Sequence, residues 1–216
     1  HISYKCKCTS QKQYKDPTEE DLVLNDKEEF LDDNIPKDYF FGKEASAEYV
    51  IGTRRGISNK KPIIGQYDIN REGSGDMYSK GANLLHTLRH VINDDEKWRN
   101  VLRGLNRDFY HKTVTTTEIE NYISKKINVN LKPFFDQYLR DIRIPLLKYK
   151  LVDGKMHFRW DNVIDDFNMP IDIIISDHVL GLKNKIRIYP SQKWKSKKIK
   201  GSIEIDNNYY VNFEKV

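Results

Sequence analysis

The chain has 216 residues, 38% of them hydrophobic, and a net charge of +5 from 37 basic and 32 acidic side chains. That length can bury one sizeable core or two small ones. No apolar run approaches the ~20 residues of a membrane helix, and so balanced a charge is not by itself a nucleic-acid footprint.

Residues 1–39 stand apart from the rest. They are polar and charged, without a sustained period, and are punctuated by Pro17 and Pro36. Such composition buries too little to offset ordering entropy, so a mobile segment is expected. Cys6 and Cys8 are too close in sequence to bridge without strain, and only His1 could join them on a metal; they are read as inert. The chain opens on His1 rather than Met. It is therefore read as a piece of something longer.

From Phe40 the apolar spacing turns helical. Ala47, Val50, Ile51 and Ile57 predict a helix over roughly 43–58. A Gly- and Asp-rich loop follows, and a second helix is predicted from Met77 to Ile92. Its apolar positions are Met77, Ala82, Leu84, Leu85, Leu88, Val91 and Ile92. Asn93 and Glu96 have capping-box spacing and open a third helix with Trp98, Val101, Leu102, Leu105 and Phe109. Thr115 and Glu118 open a fourth, with Ile119, Tyr122, Ile123 and Ile127 facing inward. A last helix is predicted over 131–141.

After Pro145 the period changes to two. "LLKYKLVDGKMHFRW" reads as a hairpin around Asp153-Gly154. Four further stretches, "MPIDIIIS", "KNKIRIYP", "KKIKGSIEID" and "NNYYVNFEKV", read as strands. The expected fold class is α+β, with a helical part over 40–143 and a small β part over 144–216. Lys193, Lys195, Lys197, Lys198 and Lys200, interleaved with Trp194, read first as an exposed edge strand. A weak patch for an anionic partner is the sharper reading, and it would require steeply salt-dependent affinity.

His86 and His90 share the i, i+4 spacing of a His-Glu-x-x-His zinc site, but Thr87 stands where the general base belongs. No further ligand follows in register. A helix carrying one partly buried and one exposed histidine is the expected reading.

Tyr78-Ser79-Lys80-Gly81-Ala82, followed by a Leu-rich helix, resembles the Tyr-x-Lys-Gly-Ala element of the alanyl-aminopeptidase-type zinc metallopeptidases, the gluzincin aminopeptidase family. "FGKEASAEYVIGTRRGI" is similar to that family's helix after the third zinc ligand. "KPIIGQYDINREGSGDMYSKGANLLHTLRHVINDDEKW" resembles its active-site loop and helix. "TVTTTEIENYI", "LKPFFDQYLRD" and "IPLLKYKLVDGKMHFRW" resemble the following helices and the start of its small β-sandwich. The likeness covers about residues 40–216. It implies the helical C-terminal half of a thermolysin-like catalytic domain followed by a small β-sandwich.

The resemblance also implies roles. Tyr78 would steady the oxyanion of a tetrahedral intermediate, a job suited to a neutral phenol donor. Gly73, Ser74 and Gly75 would let backbone approach a peptide substrate. Lys80 and Gly81 would act structurally, through a salt bridge and close helix packing. Zinc is the family's cofactor, but this chain has no His-Glu pair and no Gly-x-Met-Glu-Asn motif. Glu28 and Glu29 fall near the third-ligand position, yet Pro36 interrupts the helix that should hold them. No metal ligand is assigned and no zinc is expected in the chain alone.

The expected function is therefore a fragment of a zinc-dependent aminopeptidase that is inactive alone and lacks the N-terminal half of its catalytic domain. An exposed apolar face should mark the missing half. Residues 1–39 would then be the product of a frame shift. The alternative is a non-catalytic peptide- or protein-binding module on the same scaffold, with a genuine N-terminal arm. Neither a nucleic-acid partner nor a membrane span is expected.

Overall fold

The computed structural model describes residues 42–65, 74–177 and 181–216. The expectations placed on residues 1–39, on Cys6, Cys8, Glu28 and Glu29, and on Gly73 lie outside the described residues. Among the described residues five α-helices come first: α1 (Lys43–Gly52), α2 (Asp76–Ile92), α3 (Asp95–Asp108), α4 (Thr116–Ile127) and α5 (Lys132–Phe135). A 3₁₀ turn, Thr53–Gly56, extends α1, and a π turn, Asp136–Arg140, extends α5. Seven strands follow: β1 (Leu146–Val152), β2 (Lys155–Asp161), β3 (Ile171–Asp177), β4 (Leu182–Ile188), β5 (Lys195–Lys198), β6 (Ser202–Ile205) and β7 (Asn212–Lys215). The class is α+β.

Local chemistry sets most boundaries. Thr115 and Glu118 make the predicted capping box, each side chain satisfying the other's backbone N–H. Asn93 does not cap α3. It takes the left-handed conformation, φ 53°, that ends α2, and Asp94 caps α3 by accepting from the Lys97 N–H at 2.9 Å. At the end of α1 the Thr53 hydroxyl donates to the Val50 carbonyl at 2.6 Å, and the last turn tightens to 3₁₀ instead of running on as α-helix to 58. Where a regular helix to 141 was expected, the turn widens beside two anchored side chains. Gln137 bridges the Arg143 carbonyl and the Ile164 N–H, and the Tyr138 hydroxyl donates to the Tyr210 carbonyl at 2.8 Å.

The strands form two sheets, ordered β5-β2-β1-β7 and β4-β3-β6. Pairing is antiparallel except between β1 and β7. The β1–β2 hairpin turns through Asp153 (φ 49°) and Gly154 (φ 68°), the pair of positive φ values a two-residue turn needs. Met156, Phe158 and Trp160 of β2, Ile171 and Ile173 of β3, and Ile205 of β6 point inward. They share one hydrophobic cluster with Leu84, Leu88, Ile123, Phe134 and Tyr138 of the helical part. No helix among the described residues is long and apolar enough to cross a membrane.

Gly104 sets the distance between α3 and α4. A methyl there would lie 2.2 Å from the Tyr122 hydroxyl, which donates to Asp108 at 2.7 Å. Gly104→Ala should therefore cost about 1–3 kcal/mol by overpacking. Adding Tyr122→Phe should recover part of that loss, because the clashing oxygen goes. Urea unfolding of the single and double variants checks this. A G104A chain as stable as the parent would show that the helices separate freely.

Candidate functional site

Tyr78 stands in the first turn of α2 and is 71% exposed. Its hydroxyl makes no hydrogen bond among the described residues. The turn that carries it is tightly held. The buried Asp76 carboxylate accepts from the N–H groups of Ser58 (2.9 Å) and Asn59 (2.7 Å) and from the Ser58 hydroxyl, while the Asp76 N–H donates to the Ser74 hydroxyl. Burial pushes the Asp76 carboxyl up, but these donors and nearby Lys80 outweigh it and hold its pKa below the ordinary value.

The inner face of α2 continues this polar pattern. Lys80 is fully buried, and its ammonium donates to the Asp141 carbonyl at 2.9 Å. Among the described residues the expected salt bridge is not formed; a main-chain oxygen takes its place. Burial lowers the Lys80 pKa, with Asp76 and Asp141 opposing. Asn83, also fully buried, accepts from Arg54 Nε at 2.7 Å and donates toward the Val50 carbonyl and the Thr53 hydroxyl. Thr87 accepts from the Tyr210 N–H at 2.9 Å. Arg54 reaches on to Asn207 and lies over the Tyr210 ring. α2 is thus fastened by hydrogen bonds to residues 50–59 on one side and 207–210 on the other.

Its outer face is apolar. Met77, Tyr78, Ala82 and Leu85 are all exposed. Met77, Ala82 and Leu85, three of the apolar positions of the predicted helix, therefore face out. Asp76, Lys80, Asn83 and Thr87 face in instead, because each finds a buried partner there. Gly81 has open space where a Cβ would stand, so close packing does not explain it. Gly75 also has open space and a helical φ of −58°. Ser74 is half-buried. Among the described residues neither is hydrogen-bonded to Tyr78's hydroxyl.

His86 and His90 lie on the flank of α2 facing β4 and residues 206–210. Their rings meet edge-on, with centroids 4.6 Å apart. His86 Nε2 lies 2.9 Å from Asn208 Oδ1, and the Asn208 amide nitrogen donates to Asp206, which fixes the amide so that Nε2 is the donor. Lys43, Arg89 and Lys185 join the histidines in lining a cavity of about 410 Å³. Asp95 binds Lys43 and Arg89, and Asp206 binds Lys185. Among the described residues no three His, Cys, Asp or Glu side chains converge on a point that could hold a metal. The pair does not fit a zinc site: one nitrogen is committed to Asn208, and the nearby Asp206 carboxylate is taken up by Asn208 and Lys185.

Burial, and then the charge of His86, depress the His90 pKa to about 4; burial also lowers that of His86. The unfolded chain binds these protons near pH 6.5, before the folded chain does, so stability is full above that pH and falls as pH drops towards 4. At a partly exposed pair the effect is about 1–2 kcal/mol once solvent screening is allowed for. Urea midpoints at pH 7, 6, 5 and 4 should decline in the parent and decline less in His86→Gln/His90→Gln. Parallel declines would refute the assignment.

Sequence reasoning did not single out Asn83, Arg54 or Arg187. The available signal was polar residues at 76, 80, 83 and 87, which recur at helical spacing beside the buried Leu84 and Leu88.

No protein-family model matches the sequence, and no curated protein does. Among solved structures, the chain is similar to Legionella pneumophila aminopeptidase A, crystallised in complex with aspartic acid. The TM-score is 0.52 at 13% identity, over 79% of this chain and 23% of the other. This chain thus spans about a quarter of that protein. The likeness is one of fold, to part of that aminopeptidase.

Proposed function

We propose that the chain is a fragment of a zinc-dependent aminopeptidase that removes N-terminal residues from peptides, and that it is inactive alone. The observation that carries this is the construction of α2. Its buried face is locked by Asp76, Lys80, Asn83 and Thr87, while Tyr78 is exposed beside Met77, Ala82 and Leu85. A phenol so placed is available to donate to a developing oxyanion once substrate and the remaining machinery are brought to it. The zinc ligands and the general base are not among the described residues and would come from the missing half of the catalytic domain.

A second reading is favoured by the same exposed residues: a non-catalytic module that binds peptide or protein through Met77, Tyr78, Ala82 and Leu85. Zinc content and alanine-p-nitroanilide hydrolysis, measured on one purified sample, test the first reading. The expected result is neither zinc nor hydrolysis. Stoichiometric zinc with chelator-sensitive turnover would overturn the inactive-fragment assignment. Saturable binding of an unmodified peptide, lost in Tyr78→Ala, would favour the module.

A further inference from the structure

The strand register sorts the side chains of the β5-β2-β1-β7 sheet into two faces. Met156, Phe158 and Trp160 point into the core, so Lys155, His157 and Arg159 point out. Across the β1 ladder their partners are Val152, Lys150 and Lys148. On β5, Lys198 pairs with Lys155 and Ser196 with His157. One step further along that register Trp194 comes beside Arg159. The guanidinium carbon of Arg159 lies 5.2 Å from the Trp194 ring centre and the Lys150 ammonium 5.1 Å. Trp194 nevertheless stays 42% exposed.

Charge on this face is uneven. Asp161 pairs with Lys148 at 2.8 Å and with Arg159 at 3.3 Å, at one end. Lys150, Lys155 and Lys198 have no ion pair among the described residues. Lysines along β5 alone would suit an edge strand guarded against pairing with another chain. That role requires neither Lys150 and Lys155, which sit on strands already paired on both sides, nor an exposed indole laid against two cations.

We propose that this face binds single-stranded nucleic acid, with phosphates over Lys150, Lys155 and Lys198 and a base stacked on Trp194. Cations outside any ion pair among the described residues, on a surface about 5 Å by 7 Å in repeat, track a phosphate backbone. An exposed aromatic face beside them stacks an unpaired base. The arrangement disfavours two other anionic partners. A duplex keeps its bases stacked on one another and offers none to the indole. A membrane would call for an indole free to enter the interface, whereas Trp194 is held to the sheet by two cations. The proposal is independent of the peptidase reading.

The test is fluorescence anisotropy of the full chain with a labelled oligothymidylate of about 20 nucleotides, between about 50 and 200 mM salt. Saturable, salt-sensitive binding is expected. Lys150→Gln/Lys155→Gln/Lys198→Gln should weaken it about tenfold or more and reduce the slope of log K against log salt by about 2, at about 0.7 per phosphate contact. Trp194→Ala should weaken it about tenfold and abolish quenching of indole fluorescence by the oligonucleotide. Lys125→Gln/Lys126→Gln, on α4, should change neither. No binding at low salt, binding indifferent to the sheet variants, or equal binding of duplex DNA, polyglutamate or phosphatidylserine vesicles would each overturn the proposal.

Discussion

Arg187→Met should lower the unfolding free energy by about 3–5 kcal/mol, the cost of stranding a buried charge. Arg187 stands on β4 directly across the ladder from Asp172, whose side chain is buried, and meets both its oxygens at 2.8 and 3.0 Å. The same guanidinium donates to the carbonyls of His90 and Val91 at 2.6 and 2.8 Å, and to the Tyr209 hydroxyl at 3.1 Å. It therefore satisfies the open end of α2 and ties that helix to the three-stranded sheet. Methionine fills much of the volume and supplies none of the donors. Arg187→Met/Asp172→Leu should recover a good part of the loss, since no unpaired carboxylate remains. Urea unfolding of the two variants checks the pair. A single variant within about 1 kcal/mol of the parent would show that water replaces the guanidinium.

Gly201→Ala should cost about 3 kcal/mol or more, from backbone strain and overpacking together. Gly201 joins β5 to β6 with φ +109°, a conformation that residues with a Cβ rarely adopt. A Cβ there would lie 2.4 Å from the Ser176 carbonyl oxygen and 3.3 Å from Ile175 Cγ2. The oxygen cannot step aside cheaply, because Ile175 and Ser176 are in the β3–β6 ladder with Ile203 and Ser202. Gly154→Ala is the control. It has a positive φ of +68° but nothing within 4 Å of the new atom, so it should cost only about 1–2 kcal/mol. Equal losses in the two variants would mean that φ alone, and not the contact with β3, makes Gly201 necessary.

Local signals were legible wherever the chemistry was local. The Thr115–Glu118 box depends on two residues three apart, and the Asp153-Gly154 turn on two adjacent ones. Both stand as read. The Asn93–Glu96 pair had the same spacing as a box and failed, because Asn93 was already committed to ending α2. Alternating hydrophobicity located most of the strands, but "KKIKGSIEID", read as one, breaks at Gly201 into β5 and β6 of different sheets, and alternation could not tell that β7 pairs parallel to β1. That depends on where the chain returns after residue 206.

The site divides in the same way. Tyr78 is a candidate through a resemblance spanning its neighbours, and the structure places it exposed on a firmly anchored turn. The orientation of α2 was not legible. A reading by period assigns apolar residues to the core, yet buried positions 76, 80, 83 and 87 are polar. They can be buried only because Ser58, Asn59, Asp141, Arg54 and Tyr210, distant in sequence, supply hydrogen-bonding partners that offset desolvation.

Charge was legible as a total, and the total concealed its arrangement. Lys150, Lys155 and Lys198 come from three segments and gather on one face because strand register brings them there. The α+β class, most helices and strands, two of the local caps and turns, and the helix on which Tyr78 stands could be read from residue order, since each follows from interactions a few residues long. Which side of α2 is buried, which carboxylate Arg187 neutralises and which lysines share a surface are settled by the folded chain alone. Those outcomes depend on contacts between residues tens of positions apart, and their energies exist only once the chain has brought the partners together.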